Sequence, residues 1–573
     1  MDSLFTAIAQ MDRTFVYVFQ GILRYFVPIL AAFILIRTVR PLLTFQREPE
    51  IWAWLVLNNG KMLPLTHWEN VVGRSKRSDV VIEVPTISRT HAVLTRYDDG
   101  SWTIADAGSK SGVFVNGAKI DICALEPEDV ITIGGVPMKL QPRSREQEIK
   151  LAQLRTKAAR PASSVMNTLL LTFLQILICF SYLMTAKEGM AGSVFAGFAG
   201  IVACQWLLLI FYLFIRKPSF ELETIVFFLC TLGMAAIAAV KPGETVKQLI
   251  AFVLGLGLFL SLGWVLRDLE RVKKLRYYAA AAGILLLIVT LVFGKEYHGA
   301  KNWLIIGSLS IQPSELSKVC FVFIGAATMD QIVNKKNLIL FIAYTLAICA
   351  CLAVMNDFGT ALIFFVAFLL IAYLRSGSVG TIALACTSLG FAGVIAVKIA
   401  PHALRRFASW RHIWENPLTT GYQQTRALMC IASGGLLGLG AGNGFMRNIF
   451  AADSDVVFAT LAEEWGLLIC LMMVACVMVF GLFSVRTAAM GRSSFYTIGS
   501  CTAAGILLVQ TMFNVLGTLD VLPLTGVTLP FVSNGGSSMI CAWGLMAFVK
   551  AADTRQDASF AVRQSQEGRL EDE

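Results

Sequence analysis

Apolar stretches long enough to cross a bilayer recur from about residue 15 to residue 551, and they leave few folds open to this chain. After a first run at 15–36, others lie near 165–186, 193–215, 222–240, 246–266, 278–294, 317–333, 338–355, 360–374, 379–400, 456–484, 496–519 and 535–551. A helix needs about 20 apolar residues to span the hydrocarbon, and only helices or closed barrels can satisfy their backbones there. The pattern predicts a polytopic α-helical membrane protein of about thirteen helices. Only 15% of residues are charged, against about 25% in ordinary soluble domains. The first run is too long for a signal-peptide core and lacks a small-residue cleavage site, so it reads as a retained anchor. The thirteen cysteines sit mostly in apolar runs, at spacings that fit neither a disulfide framework nor a zinc site. They read as packing residues.

Residues 51–143 follow a different grammar. Short alternating segments are punctuated by Asp98-Asp99-Gly100, Asn116-Gly117 and Gly134-Gly135, which are turn and hairpin signals. An all-β sandwich is expected there, inserted after an anchor at 1–50. Within it stand Gly73-Arg74, Ser88-Arg89-Thr90-His91 and Val115-Asn116-Gly117. This block resembles the FHA (forkhead-associated) domain, a phosphothreonine-binding module. The resemblance implies phosphopeptide contacts at Arg74, Ser88, Arg89, Ser111 and Asn116, and a phosphothreonine-containing partner. An arginine beside a hydroxyl suits phosphate on physical grounds as well. Ser111 stands where that family usually has Asn, preceded by Lys110. His91 is expected to brace the scaffold rather than touch ligand.

A basic linker, 144–164, with Lys150, Arg155, Lys157 and Arg160, leads to two further helices within 165–221. The positive-inside rule places linker and sandwich in the cytoplasm. Alternation from there puts Arg216-Lys217, the cluster Arg267–Arg276, Lys335-Lys336, Arg375, Arg486 and Arg492 on the same side. It puts 294–317, 401–455 and 519–535 outside. One missed helix would have inverted that agreement. A polar tail, 553–573, ends the chain.

The loop 401–455 is too long to be a mere connector. It carries Arg405, Arg406, Arg411, Arg426 and Arg447, with Trp410, Trp414, Tyr422 and a glycine-rich stretch. It closes on Asp453 and Asp455 at the edge of an apolar run. Two more outer segments are polar. Residues 298–318 contain Glu315 and Lys318 at helical spacing, either a functional pair or a structural ion pair. Residues 519–538 hold two prolines, three glycines and paired hydroxyls, the composition of a broken segment buried in protein or lining a cavity.

Gly299-Ala300-Lys301-Asn302-Trp303, Gln312-Pro313-Ser314-Glu315, Asn356-Asp357-Phe358-Gly359-Thr360, Ser454-Asp455-Val456-Val457-Phe458-Ala459 and Ser533-Asn534-Gly535-Gly536-Ser537-Ser538 occur in that order. Over 222–552, ten of the expected helices, the chain resembles the SEDS family (shape, elongation, division and sporulation; FtsW and RodA). The resemblance implies a SEDS-like ten-helix core with about three extra helices. It implies an inverting peptidoglycan glycosyltransferase that polymerises lipid II into β-1,4 glycan strands outside the plasma membrane, for division or elongation.

Asp455 falls on the family's catalytic carboxylate. Lys301, Glu315, Lys318, Arg406, Ser537 and Ser538 fall on its substrate-contacting motifs, and Asp357 on a further conserved acid. The chemistry agrees. A base must take the proton of an acceptor 4-hydroxyl, and a partly desolvated carboxylate at a membrane edge suits that work. Cations must meet the departing diphosphate: Arg406, Lys301 and Lys318 are candidates, with a divalent cation (Mg or Mn) as a further one, for which Asp453 is a candidate ligand.

The chain departs from the family where Pro and Glu would precede Asp455 and at the displaced cation of Lys301. The resemblance further implies a class B penicillin-binding protein as partner. Nucleic acid is not expected. Two other readings remain: a lipid II flippase, which needs a polar path through an otherwise apolar midplane, and an inert membrane scaffold recruiting phosphorylated cell-wall regulators.

Overall fold

The computed structural model describes residues 12–44, 51–143, 163–329, 335–376 and 404–553. Short gaps fall at 68, 77, 97–99, 187–188, 216–218, 298–299, 307–308, 405–406 and 489–492, and single positions are described between 380 and 390. The linker, the tail, most of the expected run 379–400, and Arg406 lie outside the described residues.

Helices stand where the apolar runs are: α1 (Arg13–Thr44), α2 (Ser164–Thr185), α3 (Ala191–Phe214), α4 (Glu221–Val240), α5 (Thr245–Leu266) and α6 (Leu269–Phe293). Then come α7 (Pro313–Met329), α8 (Lys335–Val354) and α9 (Phe358–Ser376). Ten of the described helices are long and apolar enough to cross a membrane. Their starts follow local chemistry. Ser163 accepts from the Met166 amide, Asp268 from that of Glu270 and Ser493 from that of Phe495, each meeting an N–H that the first turn leaves open. Pro313 opens α7, where a missing amide hydrogen costs nothing.

A helix apolar on all sides belongs at the centre. α4 is that helix. In its apolar window 89% of residues are buried, against 17% for α6, which leaves α6 facing lipid. Around α4 pack α1, α2, α3, α5 and the long α11 (Val457–Ala488), and α12 (Ser494–Thr518) and α13 (Gly536–Ala551) complete the layer.

Residues 53–142 form the expected sandwich. One sheet runs Met62–Leu65, Ala53–Leu57, Val136–Pro142, Val130–Ile133, Val113–Val115, Ala118–Ile120. The other runs Val80–Val81, Glu69–Gly73, Ala92–Arg96, Trp102–Asp106, Ile122–Leu125. Leu55, Leu94, Ile104, Ile131 and Ile133, all with no exposed surface, fill the space between.

The two ends of the helical layer differ. At one, Lys550 is fully buried, ion-paired to Glu223 at 3.0 Å and donating to the Ser219 carbonyl. The sandwich lies on this side: Ser494 Oγ donates to Glu69 at 3.3 Å, and Tyr496 reaches the Leu266 carbonyl. At the opposite end gather 241–244, 300–312, 355–357, 407–456 and 519–538. Cross-links such as Lys301 N–H to Met355 O (3.0 Å) and Trp410 Nε1 to Val521 O (3.2 Å) tie them together. Sandwich and Asp455 therefore occupy opposite faces.

Two features differ from the sequence expectation. The loop 401–455 is not all loop, because it contains α10 (Tyr422–Gly434), whose buried positions Gln424, Thr425, Ala427 and Cys430 pack beneath it. Within the segment 294–317, Lys295–Tyr297, Ala300–Ile306 and Leu309–Ile311 form a three-stranded antiparallel sheet that ends just before α7.

Candidate functional site

Asp455 sits two residues before α11, half-buried, where the open amides of a helix N-terminus favour negative charge. Its backbone is held by other segments. The Asn514 amide on α12 donates to Asp455 O at 3.0 Å and to Val527 O at 2.9 Å. Ser533 Oγ donates to Ser454 O at 2.7 Å while accepting from the Leu529 amide. Thr460 Oγ1 reaches back to Ala452 O at 2.7 Å. A small apolar core of Ala427, Met446, Ile449, Ala452, Val456 and Ala459 underlies the turn.

Asp453 is placed differently. Its carboxylate is 2% exposed, ion-paired with Lys241 at 3.0 Å and accepting from Asn534 Nδ2 at 2.6 Å. The same Asn534 amide also reaches Glu244 at 2.9 Å, and Asn534 N–H donates to Asp453 O at 2.7 Å. Both Asp453 oxygens are thus taken up by N–H donors, one of them a cation. That donor set suits locking a turn and does not fit a divalent metal. Among the described residues no group of three or more His, Cys, Asp or Glu side chains could hold one.

Sequence reasoning missed Lys241. Its signal was the polar turn Lys241-Pro242-Gly243-Glu244 between two apolar runs, on the same face as Asp455.

A second polar cluster surrounds Asp357. Its carboxylate caps α9 through the Thr360 amide (3.1 Å) and accepts from Asn302 Nδ2 at 3.0 Å and Gln312 Nε2 at 3.4 Å. Ser537 Oγ accepts from the Gln312 amide at 2.9 Å, and Ser538 shares a 2.7 Å hydrogen bond with Thr528. The segment 533–538 thereby joins this cluster to the one around Asp453 and Asp455. Lys301 Nζ turns the other way, onto Leu291 O at 2.7 Å.

Of the two readings for Glu315 and Lys318, the structure shows the ion pair: 2.7 Å, with side chains 7% and 1% exposed. Lys318→Met would strand Glu315 as a buried lone carboxylate at a cost of about 3–5 kcal/mol. A clear fall in melting temperature in detergent is expected, largely recovered in Glu315→Gln/Lys318→Met.

α11 is two helices in series. At Gly466 φ is +84° and ψ 165°. An unbroken helix would pair the Leu467 and Leu468 amides with the carbonyls of residues 463 and 464. Instead those amides donate to Gly435 O (3.0 Å) and Leu436 O (3.2 Å), and the freed Glu463 and Glu464 carbonyls accept from Leu439 (2.8 Å) and Gly440 (3.0 Å). The glycine-rich stretch thus repairs the break it lies against. Glu463 then uses its carboxylate to accept the Phe445 and Met446 amides, both at 2.9 Å.

The midplane is less apolar than its sequence implies. Gln175 Nε2 donates to both Gln205 Oε1 and Thr231 Oγ1 at 3.0 Å, and Gln205 to Thr168 O at 3.2 Å. All are buried, so the cluster joins α2, α3 and α4 rather than opening a path.

On the sandwich, three loops converge. A Cβ at Gly73 would meet Arg89 O at 2.2 Å, so glycine is required for the Arg74 loop to lie against Ser88-Arg89. Arg74 N–H donates to Ser88 O (3.0 Å), and the Lys110 amide to Ser88 Oγ (3.1 Å). Arg74, Arg89, Lys110 and Ser111 are exposed around this point. Asn116 lies apart in a hairpin turn at φ +51°, its side chain held between Asp129 (2.7 Å) and the Val130 amide (3.0 Å). The Glu126 amide first, and then the Asn116 side chain, hold the Asp129 carboxyl below its usual range. His91 braces the scaffold as expected: Nδ1 accepts from Ser88 N–H and Nε2 donates to Gly112 O.

Residues 243–558 match the family described as Cell cycle protein (FtsW/RodA/SpoVE), and residues 70–134 match the FHA domain. The chain is 31% identical over 375 residues to a probable peptidoglycan glycosyltransferase FtsW of Tolumonas auensis, spanning 61% of this chain and 96% of that relative. It is 29% identical over 328 residues to the FtsW of Wigglesworthia glossinidia brevipalpis, spanning 54% and 83%. Among solved structures, the rod shape determining protein RodA of Thermus thermophilus aligns at 26% identity, covering 59% of this chain and 97% of that one, with a TM-score of 0.42. With the family's segments running through both polar clusters, this multi-pass membrane chain belongs to the FtsW/RodA/SpoVE family and carries an FHA domain between its first two helices.

Proposed function

We propose that this chain is an inverting peptidoglycan glycosyltransferase that polymerises lipid II, with Asp455 as general base. Asp455 would take the proton of the acceptor sugar's 4-hydroxyl as that oxygen bonds to the donor's C1 and the C1–O bond to the lipid diphosphate breaks. The observation that carries this reading is the pinning of residues 453–455 by Asn514, Ser533 and Asn534, which fixes the turn beneath a half-buried carboxylate. A base earns rate enhancement only when held within hydrogen-bond reach of its proton. Relatives named as peptidoglycan glycosyltransferases support the substrate class.

Arg406 and Lys301 are the cations proposed for the departing diphosphate, Lys301 by turning from the Leu291 carbonyl that holds it here. A divalent cation would come in with that diphosphate. The Arg267–Arg276 cluster shares the sandwich's face and supports a cytoplasmic FHA domain, with Asp455 outside. A class B penicillin-binding protein is the proposed transpeptidase partner.

The test is lipid II polymerisation by the full-length protein with that partner, wild type beside Asp455→Ala. Glycan from wild type alone supports the reading. Polymer from neither, with both folded and partner-bound, overturns it, and lipid translocation surviving in both would point to a transporter. For the FHA domain, Arg74→Ala is expected to weaken phosphothreonine-peptide binding at least tenfold by calorimetry, since a charged hydrogen bond contributes about 1.5–3 kcal/mol.

A further inference from the structure

The matched family region begins at residue 243, yet far upstream of it Gln20 reaches the loop that leads to Asp455, and Tyr182 reaches the broken helix on which that loop packs. Gln20 on α1 is buried at 6% exposure. Its Nε2 donates to Ala441 O at 3.0 Å, and its Oε1 accepts from Asn443 Nδ2 at 2.7 Å. Tyr182 on α2 is also buried. Its hydroxyl donates to Glu464 at 2.6 Å and accepts from Trp465 Nε1 at 2.9 Å. Thr185, one turn on, lies so close to the backbone of Gly442 that a Cβ there would meet its Oγ1 at 2.6 Å. From 441–443 the chain passes to Phe445 and Met446, which Glu463 holds, and then through Ile449 and Ala452 to Asp455.

We propose that Gln20 and Tyr182 are positioning residues for this loop, holding 441–446 against the break in α11 so that Asp455 meets the acceptor hydroxyl. The assignment rests on the glycosyltransferase reading for its effect on rate, but not for its effect on the loop. Each side chain spends its polar atoms on the loop or the broken helix, and each sits in a helix that the β-sandwich joins. Neither is needed to make a helix, because α1 and α2 bury Leu23, Val27, Leu171, Leu174 and Ile178 independently.

The test uses full-length protein in detergent or nanodiscs, with Gln20→Ala, Tyr182→Phe, Asn443→Ala and the double variant Gln20→Ala/Asn443→Ala. Small displacements of a catalytic group can cost up to about a hundredfold, so we expect kcat for lipid II polymerisation to fall roughly 10- to 100-fold in each single variant, with KM within about twofold. The double variant should fall no further than Gln20→Ala, since both remove one link. Independently of activity, amide exchange at 441–446 should rise about tenfold or more, as locally opened segments exchange faster. Unchanged exchange in these variants overturns the positioning role. So do losses of kcat that multiply in the double variant, or that only follow a reduced folded fraction. If wild type itself makes no polymer, the glycosyltransferase reading fails and the exchange measurement alone decides this one.

Discussion

Asp455→Asn should reduce lipid II polymerisation by about 10²–10⁴-fold, the usual worth of a positioned general base, and leave the melting temperature within about 2 °C. The change keeps shape and backbone contacts, which Asn514 makes to the Asp455 carbonyl and not to its carboxylate. Asp453→Asn should behave in the opposite sense. It removes the charge from a carboxylate that Lys241 and Asn534 both grip, where hydrogen bonds to a charged group contribute about 1.5–3 kcal/mol. Stability should fall measurably, and activity only as far as the 453–455 turn loosens. Lys241→Met should copy that phenotype. Equal loss of rate in both aspartate variants, at unchanged stability, would reject the division of labour between them.

Gly466→Ala should be among the most damaging single methyls in the described residues. A Cβ there would lie 2.3 Å from Leu436 O and 2.5 Å from the Leu437 carbonyl carbon, both backbone atoms, at a φ that L-residues avoid. Left-handed backbone alone costs about 1–2 kcal/mol. Moving 436–438 aside would also break the exchanged pairs, and each buried group left without a partner costs about 1–3 kcal/mol more. A total of about 4 kcal/mol or beyond is expected, read as loss of folded protein in size-exclusion chromatography. Gly257→Ala is the control. It meets nothing within 4 Å on a helical backbone and should be neutral or stabilising by up to about 1 kcal/mol. A folded, stable Gly466→Ala would mean that α11 can straighten without the loop.

The helices and the sandwich were legible because each rests on a strong local pattern: runs near the bilayer's thickness, or alternation punctuated by turn residues. What stayed hidden depends on pairing between distant segments. The run 456–484 reads as one apolar helix, and nothing local says that Leu467 and Leu468 bond to Gly435 and Leu436. The stretch Gly434-Gly435-Leu436-Leu437-Gly438 was visibly glycine-rich, but its role appears only against the broken helix. α10 escaped notice because, at 13 residues, it is short and sits in a polar loop. The motif residues were found, yet their partners Lys241, Asn514 and Gln20 lie in segments with no motif of their own. Lys318 illustrates the reverse error. A cation in a recognised motif read as a substrate contact, and burial against Glu315 leaves it no exposed surface to offer.

The strands Ala53–Leu57 and Val136–Pro142 pair antiparallel with Ala53 opposite Pro142, so the sandwich takes in the chain and returns it at neighbouring points. Paired residues in such strands lie about 5 Å apart, and domains whose ends meet in this way are readily inserted into a host chain. The module could have been acquired whole, between two helices, with little demand on either. It also cannot be shed by one proteolytic cut, because a break on either side leaves it attached on the other. Only paired cleavage, or a deletion rejoining α1 to α2, would separate wall synthesis from whatever signal the module reads.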